Sequence, residues 1–324
     1  MKIAVTGTSG HIGNTLCRML TEQGHEVKAL VHNDRKALTG LKLEFVKGDI
    51  TSESDLENLC SGCDLVFHLA AYISIRKNDP LCRKINIDSC TRLIKAAKSK
   101  GVRKIIHFSS IHAFRHEPLD AELNETRDLS LGSNFSYDRS KALGQKLMME
   151  ASTKDLEIIV INPTAVFGPY DYKPSLTGSA IIRLYNGQIP ALIPGGYDWV
   201  DVRDVCKAAV SAIENGIPGK CYLVGGSWQS LRIMAYEIEK LGGHKVPRLE
   251  LPAWVAQLGT PFLNIHAVIR KKEPLYTSVS LHALKNGNRN ISHEKARLAL
   301  DHNPRPFTET LSDTIAWFRE NNYI

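Results

Sequence analysis

At 324 residues, 43% hydrophobic and 23% charged, the chain can bury a full α/β core and still have material for a smaller partner lobe. No apolar run approaches the roughly 18 residues of a membrane span, so no membrane association is expected. The formal charge of +7 is local, since residues 226–300 hold 11 Lys or Arg, among them Arg270, Lys271 and Lys272, against five Asp or Glu. A solvated basic face is preferred here over an anionic-substrate handle. Nucleic acid is the least expected partner, because no recognised binding motif accompanies the charge.

Met1 runs directly into the apolar Ile3-Ala4-Val5, leaving no room for the regions of a secretory leader, so a cytoplasmic protein is expected. From there, short β-branched runs alternate with amphipathic stretches. Lys2–Thr6, Glu26–Val31, Leu43–Val46, Asp64–His68, Lys104–Phe108 and Glu157–Ile161 read as strands. The rhythm predicts a Rossmann-type α/β fold, a doubly wound parallel sheet with helices on both faces.

After Pro163 the pattern breaks at Pro169, Pro174, Pro190, Pro194 and Gly195-Gly196. Val202–Glu214 then reads as a helix and Cys221–Val224 as a short strand that returns to the sheet. The expected organisation is discontinuous. A dinucleotide-binding domain covers 1–168 and about 199–225, a smaller substrate-binding lobe about 169–198 and 226–300, and a C-terminal helix 301–324. Seven scattered cysteines suit a reducing compartment as buried small hydrophobes. The Cys60-x-x-Cys63 pair lacks a second ligand pair, so no metal site is expected.

Thr6-Gly7-Thr8-Ser9-Gly10-His11-Ile12-Gly13 follows the first strand directly and opens a helix. Glycines at such a junction allow a tight bend and close backbone approach to a pyrophosphate, which the helix N-terminus then meets. With this GxxGxxG spacing the chain resembles the extended branch of the short-chain dehydrogenase/reductase superfamily, over most of residues 1–225. In motifs it is most similar to dihydroflavonol-4-reductase-like and hydroxysteroid-dehydrogenase-like members.

The resemblance implies a nicotinamide dinucleotide held by Gly7, Ser9, Gly10, His11, Ile12 and Gly13. An NAD-selective site places Asp or Glu at the end of the second strand, where this chain has Val31 or His32. Asp34 could serve only if that strand ran longer. His32, Arg35 and Lys36 offer positive charge to a 2′-phosphate, so NADP is expected, with NAD possible. Gly48-Asp49-Ile50 resembles the family's adenine contact, in which Asp49 accepts from the amine and Ile50 covers the ring. A plain surface turn would use the same residues. Leu69, Ala70 and Ala71 resemble the small-residue segment beneath the nicotinamide ribose, with His68 read as a satisfied strand-end histidine. Pro163 and Val166 resemble the segment contacting the carboxamide, although Pro163 could simply end a strand.

Tyr137 and Lys141, four apart on one helix face, follow a strand ending Phe108-Ser109-Ser110. A phenol with a pKa of roughly 10 is a poor acid or base at neutral pH until a nearby cation stabilises its phenolate. The resemblance gives Lys141 that task together with ribose binding. It gives a serine the substrate oxygen, with Ser110 preferred and Ser109 the close alternative, and it makes Asn86 a support of the centre. An exposed helical asparagine is the other reading of Asn86, and Asp201 is read as an N-cap.

The function expected is NAD(P)-dependent reduction of a ketone or aldehyde, or oxidation of a secondary alcohol, on a small-molecule substrate. The alternative is a nucleotide-sugar epimerase. A dehydratase is disfavoured because Ile111-His112-Ala113 stands where such relatives carry Asp-Glu, and a silent sensor because Tyr137 and Lys141 are intact. Relatives often pair as homodimers through the helices here spanning roughly 81–100 and 136–151, which leaves a homodimer open.

Overall fold

The computed structural model describes residues 1–74, 77–247, 249–252, 284 and 287–324. The Arg270-Lys271-Lys272 cluster and much of the expected 226–300 lobe lie outside the described residues.

Six strands fall in the first half: β1 (Lys2–Thr6), β2 (Glu26–Val31), β3 (Glu44–Lys47), β4 (Leu65–His68), β5 (Lys104–Phe108) and β6 (Glu157–Pro163). They are followed by β7 (Ala165–Phe167), β8 (Ala191–Leu192), β9 (Gly196–Asp201), β10 (Cys221–Val224) and β11 (Ser227–Ser230). The main sheet has the order β10-β6-β5-β4-β1-β2-β3, and every neighbouring pair in it is parallel. This is the doubly wound Rossmann-like arrangement predicted from the strand–helix rhythm. Strand order reverses between β1 and β4, and the crevice beyond their C-terminal ends is where such sheets bind ligands.

Three strands differ at their ends from the apolar pattern; β4 begins at Leu65 rather than Asp64, and the other two differ for a physical reason. Leu43 packs against the core without pairing, and β3 begins at Glu44, opposite Lys28; apolarity marks burial rather than the ladder. At the other edge β6 continues to Pro163 because β10 pairs along it, with Val224 opposite Pro163.

The helices are α1 (His11–Glu22), α2 (Glu53–Cys60), α3 (Pro80–Arg83), α4 (Ser89–Ser99) and α5 (Ser136–Glu150). They continue with α6 (Leu176–Tyr185), α7 (Val202–Asn215), α8 (Leu231–Lys240), α9 (Glu294–Leu300) and α10 (Phe307–Glu320). Leu16 and Leu20 of α1 and Val205 and Ala209 of α7 cover one face of the sheet, against Ile3, Val5, Phe67 and Ile106. Leu56 of α2, Leu93 of α4 and Met148 of α5 cover the other, against Ala4, Val66, Ile105 and Ile158. A third cluster gathers Phe167, Trp199, Met234, Phe307 and Phe318 beside the sheet. Leu300 of α9 joins the first core with Tyr222. All seven cysteines are free and buried. No helix among the described residues is long and apolar enough to cross a membrane.

Candidate active site

The glycine turn is a backbone cradle that side chains would fill. Gly7 has φ +70°, and a Cβ there would stand 2.7 Å from the Ala70 nitrogen and 2.8 Å from the Leu69 carbonyl carbon. A Cβ on Gly13 would collide with the Gly7 carbonyl oxygen. Gly10 caps α1 without any side-chain hydrogen bond, so the first-turn N–H groups have no side-chain acceptor there and can meet an anion. The residues present therefore fit a pyrophosphate group.

Beneath the turn, Thr6 Oγ1 accepts from the backbone N–H of Leu69 at 3.1 Å and of Ala70 at 3.2 Å. Both its lone pairs are then used, so its hydroxyl proton goes to His68 Nδ1, 2.9 Å away. Burial lowers the His68 pKa to about 3, and the neutral ring carries its proton on Nε2, 3.7 Å from Cys90 Sγ. His68 is thus a satisfied strand-end histidine. His11 Nε2 contacts the Pro169 carbonyl at 2.8 Å and ties the turn to the segment after β7.

The expected adenosine residues lie past the ends of β2 and β3. The strand stops at Val31, leaving His32 and Arg35 exposed. Asp34 is engaged locally, its Oδ1 accepting from Lys36 N–H at 2.9 Å. The Arg35 guanidinium lies 4.7 Å from the Phe45 ring centroid. Asp49 accepts from Thr51 N–H at 2.7 Å; that backbone hydrogen bond is the main cause of its carboxyl lying below the usual range, with help from His32. Ile50 is half-buried.

A cavity of about 1190 Å³ joins the turn to the expected reacting centre. Gly7, His11, Ile12, Gly13, Leu69 and Ala71 are on its wall. Ser109, Ser110, Tyr137, Lys141, Pro163 and Val166 line it as well. Ser9, Gly10, Ala70 and Asn86 are not on its wall, nor are His32, Arg35, Asp49 and Ile50.

Tyr137 lies in the first turn of α5, and Lys141 follows one turn later, buried. Burial pushes the Tyr137 phenol up to about 12, partly offset by a hydrogen bond with Ser110. Burial also lowers Lys141 to about 8. The expected lowering of the phenol by Lys141 is not realised in this arrangement. Lys141 Nζ instead donates to the Phe108 carbonyl at 2.9 Å, so desolvation decides the phenol. Ser110 is the serine beside Tyr137, while the buried Ser109 hydroxyl has no hydrogen-bond partner among the described residues.

Asn86 is buried, which corrects the exposed reading. It lies on a π-turn, residues 84–88, between α3 and α4. Its Oδ1 accepts from Tyr72 N–H at 2.7 Å, and its Nδ2 donates to the Tyr72 carbonyl at 2.9 Å and to Ser140 Oγ at 2.8 Å. Asn86 thereby ties the segment after β4 to the helix bearing Tyr137 and Lys141. Asp201 caps α7 through Arg203 N–H at 2.7 Å, as read, and also pairs with the Arg203 and Arg305 side chains.

Among the cavity residues given no role from the sequence are His112 and Asp138. His112 Nδ1 lies 3.2 Å from Asp138 Oδ1, and the His112 ring meets Tyr137 edge-on with centroids 5.6 Å apart. The available signal was position, two residues after Ser110 and one after Tyr137. Beyond them the wall is largely apolar, with Phe114, Leu129, Ile189, Leu192, Trp199 and Met234.

A glycine cradle at the strand-order reversal of a parallel sheet defines a Rossmann-type dinucleotide-binding protein. The profile of the NAD dependent epimerase/dehydratase family matches residues 3–225, and the chain belongs to that family. Sterol demethylase protein B of Methylococcus capsulatus (strain Bath) is 31% identical over 330 residues, spanning 100% of both chains. A putative dihydroflavonol 4-reductase of Synechocystis is 26% identical, over 99% of this chain and 95% of that protein. The crystal structure of gox2253 superposes with a TM-score of 0.83 at 30% identity, covering 100% of this chain and 99% of that one.

Proposed function

We propose that this family member is an NAD(P)-dependent oxidoreductase that reduces a ketone or aldehyde, or oxidises a secondary alcohol, at a Ser110-Tyr137-Lys141 centre. The observation that carries the reading is the single cavity shared by the glycine cradle, Ser110, Tyr137 and Lys141. A bound nicotinamide would give or take hydride. Ser110 hydrogen-bonds the substrate oxygen, and Tyr137 moves the hydroxyl proton. Lys141 binds ribose, and Asn86 holds its helix in place. Gly7, Ser9, Gly10, His11, Ile12 and Gly13 receive the pyrophosphate. Asp49 and Ile50 receive the adenine, and Leu69, Ala70, Ala71, Pro163 and Val166 the nicotinamide end.

The cofactor proposed is NADP, through His32 and Arg35. The segments around 169–198 and 226–300 form the substrate lobe, and the apolar wall above favours a bulky apolar carbonyl compound. A relative named for sterol demethylation supports that preference. The test is a panel of ketones, secondary alcohols and nucleotide sugars, followed by nicotinamide absorbance and product analysis. Net cofactor turnover on a ketone or alcohol supports the reading. A sugar product formed without net turnover replaces it with an epimerase.

A further inference from the structure

His112 and Asp138 line the cavity beside the reacting centre, yet the reading above gives them nothing to do. The backbone N–H of His112 donates to Ser110 Oγ at 3.2 Å, which fixes the histidine relative to the serine proposed to hold the substrate oxygen. Asp138 follows Tyr137 on α5. One of its oxygens accepts from Ser133 Oγ at 3.0 Å, and the other lies 3.2 Å from His112 Nδ1. Burial raises the Asp138 carboxyl, but hydrogen bonding and charge from His112, with the Ser133 hydroxyl, outweigh it. The group is held below its ordinary value and is ionised at neutral pH. A carboxylate at Nδ1 selects the tautomer protonated there, leaving Nε2 as the basic nitrogen.

The result is a carboxylate–imidazole pair, with His112 a third exposed along its side chain, beside Ser110 and Tyr137. A carboxylate–imidazole contact with only a structural task gains little from standing on the wall of a cavity, where solvent competes with it. An imidazole in this position has a carbon acid to act on, because the carbon next to a carbonyl held by Ser110 and Tyr137 is one bond from the reacting carbon.

We infer that His112, oriented by Asp138, removes and returns the proton on the carbon adjacent to the substrate carbonyl, which gives this centre a second activity, enolisation. The inference rests on the ketone-and-alcohol reading proposed above. The C–H bond breaks and its proton forms the N–H at His112 Nε2. The electron pair becomes the C=C bond of an enolate, whose oxygen takes hydrogen bonds from Ser110 and Tyr137. Return of the proton from Nε2 restores the ketone, so no oxidant or reductant is consumed. Burial keeps the Tyr137 phenol up near 12, which makes it a hydrogen-bond donor at neutral pH. Asp138 is a positioning residue in this scheme, and His112 carries the proton.

The experiment uses the full chain with NADP⁺ in D2O and three probes: cyclohexanone, 2-decalone and a 3-oxo steroid. Deuterium at the adjacent carbon is read by mass spectrometry, and reduction of the same ketones with NADPH is read by absorbance. The wild type is expected to accelerate exchange above the buffer rate. His112→Gln should lower the ratio of exchange to reduction by about 100-fold or more, the scale of a general base, and Asp138→Asn should lower it in the same direction. Reduction without protein-dependent exchange overturns enolisation and leaves the oxidoreductase reading intact. Exchange without reduction overturns that reading and leaves enolisation standing, and neither signal overturns both. An unchanged ratio in His112→Gln removes His112 from the scheme. Should that variant fail to fold, an unchanged ratio in Asp138→Asn overturns the pair.

Discussion

Lys141 Nζ is bound to the carbonyl of Phe108, the last residue of β5, at 2.9 Å, and this contact sits inside a site that desolvates the ammonium. Its pKa falls from 10.5 to about 8, a difference worth roughly 3 kcal/mol between the two protonation states. Below about pH 8 both folded and unfolded chains hold the proton, and the fold bears the full cost. Between about 8 and 10.5 the unfolded chain binds the proton and the folded chain does not, so wild-type stability from this group rises with pH. Lys141→Met removes the cost along with one hydrogen bond worth about 1 kcal/mol. The variant should be more stable than wild type by about 1–3 kcal/mol at pH 6.5, with the gap closing by pH 10. Urea unfolding at the two pH values measures it. A gap independent of pH would mean that Lys141 is not desolvated. The same variant should lose cofactor affinity and turnover together.

Tyr137→Phe removes only a hydroxyl at the start of α5, so fold and cofactor affinity should hold while turnover falls. General acid–base groups contribute about 10²–10⁴-fold. Steady-state kinetics on an active carbonyl compound provide the measure, and a loss under about threefold is too small for proton transfer by this group.

The parts of the site carried by contiguous motifs were legible in the sequence. The turn 6–13 follows a strand whose apolar run ends at Val5, and its glycines are needed for reasons that hold wherever a backbone must approach another closely. Tyr137 and Lys141 were legible because helical spacing alone puts them on one face. Burial and tautomer were not legible, because they depend on neighbours far away in sequence. Local helix pattern leaves Asn86 open to an exposed reading beside the supporting one, and only its contacts with Tyr72 and Ser140 show it to be a buried tie. The Lys141 partner escaped for the same reason. Spacing fixes the face of a helix but not whether an ammonium reaches a phenol or a strand-end carbonyl. The His112–Asp138 pair was hidden because each residue belongs to a different segment, 26 positions apart.

Gly13 offers a test of the cradle. Its Cβ would strike the Gly7 carbonyl oxygen, a backbone atom that cannot rotate aside, whereas a Cβ on Gly24 meets nothing within 4 Å at φ +78°. Gly13→Ala should therefore open the turn, cost about 1–3 kcal/mol as other overpacking does, and weaken dinucleotide binding at least tenfold. Gly24→Ala should cost a comparable 1–2 kcal/mol, roughly, through left-handed backbone strain and leave dinucleotide binding alone. Calorimetric titration of both variants separates the two, and equal loss of affinity in each would deny the cradle its role.

The proposed preference for NADP rests on the end of β2. The strand stops at Val31, Asp34 turns its carboxylate onto Lys36 N–H, and His32 and Arg35 remain exposed beyond it. Asp34, the first carboxylate after the strand, has one oxygen engaged in this local turn, which leaves less of it to chelate a ribose diol or repel a 2′-phosphate. The Arg35 guanidinium is braced on Phe45 at 4.7 Å, which limits the rotamer freedom it must give up on meeting a phosphate. A hydrogen bond to a charged group is worth roughly 1.5–3 kcal/mol, and each 1.4 kcal/mol is about tenfold in affinity. Wild type should therefore bind NADP⁺ about tenfold or more tighter than NAD⁺, and Arg35→Ala should erase most of that difference while sparing NAD⁺. Raising ionic strength should weaken the NADP⁺ preference as well, because the phosphate contact is exposed and screened. Titrating both oxidised cofactors into the two proteins decides the matter. Equal or tighter NAD⁺ binding by wild type refutes the preference, and a preference unchanged in Arg35→Ala moves its source to His32 or Lys36.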